Sequence, residues 1–292
     1  MNPMAVFIRT VFVGFLVLVV PAGIAFGQNC DGARNILIVD RTSQLNAAES
    51  RALEDGIAIM FEDRSFGGEL MIGEVRGSSL SSEWIYESCV ARDYVPSIAC
   101  EGVLSDSNRP QHFLDDPFDW MKNAVFGGPQ REPNTKAVLL CEAERAEAET
   151  QRAEDKTKVL EELRQITKKA VSSSPTALGD TIFRVAQARC AKTSCNLYVF
   201  SNLLDAGWKE LVAADVQQSE AGARAVTSSS RLNGATVKIN SVMVWGFGFD
   251  EQDGEQKFQL SDDAALKLLE YWKAFFTKLS GENVYIGFEM PQ

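Results

Sequence analysis

Asn35-Ile36-Leu37-Ile38-Val39-Asp40 is an unbroken apolar run closed by a carboxylate. A strand with one wet face alternates apolar and polar residues, so this run predicts a strand buried on both faces, the habit of a central parallel strand. Beyond it, Leu53, Ile57 and Met60 recur at helical spacing with charges between them, and predict an amphipathic helix from Asn46 to Phe61. Gly67-Gly68 then breaks the chain before a second strand, Glu69 to Val75, and Trp84 to Cys89 is expected as an antiparallel neighbour.

The alternation continues downstream. Lys136 to Ala170 reads as one long helix, densely charged between Glu142 and Lys158 and packing through Val159, Leu160, Leu163 and Ile166. Its charges between small residues predict a solvated face rather than a coiled-coil seam. Ser172-Ser173-Ser174-Pro175 is a helix-start sequence ahead of an amphipathic helix from Ala177 to Arg189 and a buried strand from Asn196 to Ser201. Ala206 to Val216 reads as helix, 217–234 as a polar link, and Val237 to Phe247 as strand. A final helix, Asp262 to Leu279, is expected to pack through Leu266, Leu269, Trp272, Phe275 and Phe276, and Asn283 to Phe288 supplies a last strand. Strands alternating with helices of this length predict crossover units, and so an α/β fold: a doubly wound, mostly parallel, Rossmann-like sheet flanked by helices, one of them long and charged. Residues 28–292 are read as a single domain with an irregular insertion at about 90–135, where Pro96, Pro110, Pro117, Pro129 and Pro133 interrupt any periodicity.

Residues 1–27 carry Arg9, an uncharged stretch from Val11 to Phe26 and the ending Ala25-Phe26-Gly27, the pattern of a signal peptide. The chain is therefore expected to be exported, periplasmic or secreted, and to touch a membrane only through this segment if it is retained. Its loss removes only Arg9 from the 29 basic residues and none of the 40 acidic ones, so the formal charge of −11 becomes more negative still. Such a chain offers no basic surface for nucleic acid, whose affinity comes largely from clustered Lys and Arg on phosphates.

All six cysteines lie beyond the signal segment, in a chain bound for a compartment where disulfides persist. With no C-x-x-C spacing and His112 as the sole histidine, bridges are expected rather than a zinc site. Cys190 with Cys195 and Cys89 with Cys100 are the local pairs, which leaves Cys30 with Cys141; spacing alone leaves the other connectivities open.

In an open α/β sheet, ligands bind beyond the carboxyl ends of the strands. Three segments are expected to converge there: Asp40-Arg41-Thr42-Ser43-Gln44, Ser174-Pro175-Thr176 and Ser201-Asn202. On these residues, and in its order of elements from Asn35 to Phe288, the chain resembles the von Willebrand factor type A family. That family's metal-ion-dependent adhesion site uses an Asp-x-Ser-x-Ser loop, a threonine before a helix and an aspartate after a later strand. The resemblance implies that Asp40, Thr42, Thr176 and Asn202 supply oxygens to magnesium or another divalent cation, with a protein partner's carboxylate completing the shell. Gln44 departs from the second serine of that pattern and Asn202 from its last aspartate. The ordinary alternative is that Asp40 and Thr42 cap the helix that follows.

Gly246-Phe247-Gly248-Phe249-Asp250 and the acidic residues after it match neither a dinucleotide fingerprint nor an EF-hand, and are read as a solvated loop. No serine stands in a nucleophile elbow, and no phosphate-binding loop is present. The expected function is a binding protein of the bacterial cell envelope or exterior that engages a protein partner through the strand-end loops. The alternative is a structural subunit of a secretion, pilus or conjugation assembly that uses the long helix as its interface. A hydrolase, with Asp40 as its only starting point, ranks third.

Overall fold

The computed structural model describes residues 30, 32–41, 44–75, 83–94, 96, 100, 135–169, 178–204, 213, 218, 222–223, 237–246, 251–253, 256–258 and 261–291. The signal segment, most of the insertion with His112, nearly all of the Ala206–Val216 helix, and Thr42 and Thr176 lie outside them.

Seven residues, Arg34–Asp40, form β1, every one but the first buried. Ile36 and Ile38 enter one apolar cluster while Leu37 and Val39 enter another on the opposite face. That division is why the run is apolar without alternation. The chain continues through α1 (Ala47–Glu62), β2 (Gly68–Val75), β3 (Glu83–Val90), α2 (Thr135–Thr167), α3 (Leu178–Arg189), β4 (Cys195–Phe200) and β5 (Ile239–Trp245). It ends with β6 (Glu251–Asp253), β7 (Gln256–Phe258), α4 (Asp262–Ser280) and β8 (Val284–Ile286).

Six strands make one mixed, mostly parallel sheet in the order β3-β2-β1-β4-β5-β8, with β3 antiparallel to β2 at one edge. Helices α1 and α2 supply the apolar side chains on one face, and α3 and α4 those on the other. The expected α/β class is therefore present. Among the described residues no helix is long and apolar enough to cross a membrane.

Two local readings change. Glu251–Asp253, expected as loop, pairs with Gln256–Phe258 as a short antiparallel ladder. On α4, Leu266 is 52% exposed, and the packed stripe is Ala264, Leu268, Trp272, Phe275, Phe276 and Leu279. The i, i+4 rows from Ala264 decide that face, and Leu266 falls outside them.

Helix α2 has 33 residues, about 50 Å at 1.5 Å per residue, and outreaches any strand. Its second half packs through Val159, Leu163 and Ile166, as the spacing predicts, while Glu142 to Glu147 are exposed. Between the halves, the Arg152 guanidinium donates to the carbonyls of Phe61, Asp63, Phe66 and Ala91 at 2.8–3.1 Å and sits 5.8 Å from the centre of the Phe61 ring. It closes carbonyls that the end of α1, the following turn and the exit of β3 would otherwise expose.

The three disulfides are Cys30–Cys89, Cys100–Cys141 and Cys190–Cys195, each with Cα atoms 5.5 Å apart. The Cys89–Cys100 and Cys30–Cys141 pairings are thus corrected, by topology. Arg34 aligns with Glu69 across the parallel β1/β2 pair, and Glu69 with Cys89 across the antiparallel β2/β3 pair. The segment entering β1 and the end of β3 therefore meet at one rim. Three bridges are what a chain exported to an oxidising compartment carries.

Candidate functional site

Strands β1 and β4 are hydrogen-bonded neighbours, and from them the strand order runs outward in opposite directions. Connections diverge at such a reversal and leave a crevice at the carboxyl ends of the two strands. Asp40 ends β1 and Ser201 follows β4. The register that sets Val39 beside Phe200 carries on to bring these two residues together.

The Asp40 side chain is buried, and its Oδ2 accepts a hydrogen bond from Ser201 Oγ at 2.7 Å. Ser201, also buried, accepts in turn from the Leu203 backbone N–H at 2.9 Å. Leu203 has φ +63° and is fully buried. A non-glycine residue in that region costs on the order of 1–3 kcal/mol and persists only where its surroundings hold it. Here the holders are visible: the Ser201 hydroxyl takes the Leu203 N–H, and the Trp272 indole N–H of α4 donates to the Leu203 carbonyl at 2.9 Å. Strain of this kind, seated at the sheet's reversal point, singles out the loop.

A second polar pair lies one strand away. Arg41 is fully buried and donates from Nη1 to Glu74 Oε1 at 2.7 Å, and its other terminal nitrogen donates to the Lys169 carbonyl just past α2. Glu49, in the first turn of α1, is buried and takes the Asn46 N–H at 2.6 Å. Burial raises its carboxyl above the ordinary carboxylate range; the Asn46 N–H works against that, and the nearby Asp40 charge adds to it. Among the described residues, the rim brings together the carboxylates of Asp40, Glu49 and Glu74 and the buried guanidinium of Arg41.

Of the four oxygen donors named from sequence, the structure brings Asp40 and Asn202 to the same rim, while Thr42 and Thr176 lie outside the described residues. Asn202 turns its side-chain carbonyl into its own loop, where Oδ1 accepts from the Leu204 N–H at 3.0 Å. Helix α1 is not capped by Asp40: Asn46 takes the N–H groups of Ala48 and Glu49 while Glu49 reaches back to Asn46, a reciprocal capping box. Among the described residues Ser201, rather than Asn202, donates to Asp40. The available signal was its place, the first residue past a buried strand and in line with Asp40.

Away from the rim, the ligand atoms of Cys100, Cys141 and Glu144 lie within 4.8 Å of one another, with the two sulfurs already joined as a disulfide.

No family model matches the chain, and no curated protein matches it either.

Proposed function

We propose that this chain is an exported binding protein of the bacterial cell envelope or exterior, similar to von Willebrand factor type A domains, that engages a protein partner at the carboxyl-end rim through a divalent cation. The observation that carries the reading is the buried Asp40–Ser201–Leu203 linkage at the reversal point of the sheet. It is supported by the carboxylates of Glu49 and Glu74 at the same rim as Asp40, by the order of the six-stranded sheet and by the three disulfides. Among the described residues of the rim, none forms a nucleophile paired with a base. Ser201 is buried and donates directly to a carboxylate, too weak a base to activate it at neutral pH.

Calorimetry with magnesium and manganese tests the cation, with Asp40→Asn beside the parent chain. Heat that Asp40→Asn abolishes supports the site, and no heat in either protein removes the metal from the reading. Affinity capture from envelope extracts tests the partner, using Gln44→Arg at an exposed position and Asn202→Lys at a half-buried one. A partner lost in these variants and on chelation fits the rim.

The alternative, a structural subunit docking through α2, draws on Leu139 and Leu140, 60% and 62% exposed near its start. Leu139→Lys with Leu140→Glu abolishes capture under that reading and spares it under the first.

A further inference from the structure

We propose that Cys100, Cys141 and Glu144 form a soft-metal site in the thiol state of the chain, so that this pair of cysteines has two alternative closures, a disulfide and a zinc-type dithiolate. Cys141 and Glu144 stand three residues apart on α2, which puts them one above the other on the same side of the helix. Cys100 faces them from a different part of the chain, and the three ligand atoms lie within 4.8 Å.

The carboxylate is the informative member. Glu144 Oε2 lies 3.2 Å from Cys100 Sγ and accepts from the Tyr94 hydroxyl at 3.3 Å. In the disulfide, Cys100 has no proton to donate, so an oxygen anion held against that sulfur gains nothing there from hydrogen bonding. With the bridge open, the same oxygen faces a thiol proton or, together with two thiolates, a cation. Two sulfurs and one carboxylate oxygen, with a fourth position left to water, suit tetrahedral zinc. Two Zn–S bonds of about 2.3 Å at a tetrahedral angle place the sulfurs roughly 3.8 Å apart. Rotation about the two Cα–Cβ bonds reaches that from Cα atoms 5.5 Å apart.

A dithiol reductant delivers two electrons and two protons, the S–S bond breaks to give two thiols, and the reductant leaves as its own disulfide. The divalent cation then binds both sulfurs and displaces both thiol protons to solvent. The thiol state also exists before the bridge first closes, so the site is open to a newly exported chain. This inference is independent of the rim.

The test uses cobalt(II) alone as the probe, because a tetrahedral thiolate site gives it a sulfur-to-metal charge-transfer band. The full chain is reduced with a phosphine, freed of metal and titrated, beside oxidised protein. One equivalent bound with that band in reduced protein, and none in oxidised protein, is expected. Cys100→Ser should abolish the band, Glu144→Gln should weaken cobalt binding by about tenfold or more, and Cys30→Ser with Cys89→Ser should leave it unchanged. Reduction can loosen the fold, so the titration is repeated in urea. A band that survives Cys100→Ser, or that has the same strength in Glu144→Gln and in urea as in the folded parent, overturns the proposal, as does no band in reduced protein.

Discussion

The Asp40 carboxylate and the Ser201 hydroxyl meet 2.7 Å apart, joining the ends of two neighbouring parallel strands, and the same hydroxyl holds the backbone N–H of a leucine in a left-handed conformation. The strained residue thus depends on a side chain two positions before it, which in turn depends on a carboxylate 161 positions earlier.

Ser201→Ala should destabilise the chain by about 1–3 kcal/mol, because it leaves a buried carboxylate oxygen and a buried N–H short of a partner. Chemical denaturation gives the magnitude. Amide exchange at Leu203 checks the mechanism: its protection should fall by more than that of the β4 interior.

Arg41→Met should cost about 3–5 kcal/mol, since Glu74 is then buried without its guanidinium and the Lys169 carbonyl loses a donor. Replacing both partners, Arg41→Met with Glu74→Met, should recover most of that loss, because neither member of the pair is left buried without the other. A double-mutant cycle from denaturant midpoints decides it; additive losses would show that the pair does not act as a unit.

Glu49 makes stability depend on pH with a definite sign. Its folded carboxyl holds a proton to higher pH than the unfolded one, so the folded state binds more protons and stability falls as pH rises from the ordinary carboxylate range through the raised value. Glu49→Gln keeps an oxygen for the Asn46 N–H and removes the charge facing Asp40. The variant should be more stable than the parent at neutral pH, with the advantage vanishing below the carboxylate range. Thermal melts across that interval test it.

Gly56 on α1 lies under Trp245, and a Cβ there would come within 2.4 Å of the indole nitrogen, which donates to the Ala52 carbonyl at 3.1 Å. Gly56→Ala should therefore destabilise by about 1–3 kcal/mol, although alanine is the better helix former. Loss of stability together with a change in tryptophan fluorescence is expected; a stabilised variant would contradict the packing.

Much of this fold was legible because one rule governs each part that was read correctly. The continuous run from Ile36 to Val39 named a two-faced strand, and the spacing of Val159, Leu163 and Ile166 named the packed side of α2. Leu266 was misplaced because it was included for its apolarity alone: six residues before Trp272, it falls off the i, i+3 and i, i+4 rows that carry Trp272, Phe275 and Phe276. Cys89 was paired with the wrong partner because proximity in the chain says nothing of an antiparallel edge strand that returns to the start of β1. At the rim, the place of Asp40 at the carboxyl end of β1 was legible from the apolar run before it. The capping role of Asn46 and the link to Ser201 needed the register, which single-strand patterns do not contain.

Arg152 ties the midpoint of a helix to main-chain oxygens from three other segments, so a load applied to the outer end of α2 passes to hydrogen-bonded backbone before it reaches the apolar contacts further along. Pulling on the outer turns therefore loads the Cys100–Cys141 bridge and then this polar knot before the apolar stripe can give way.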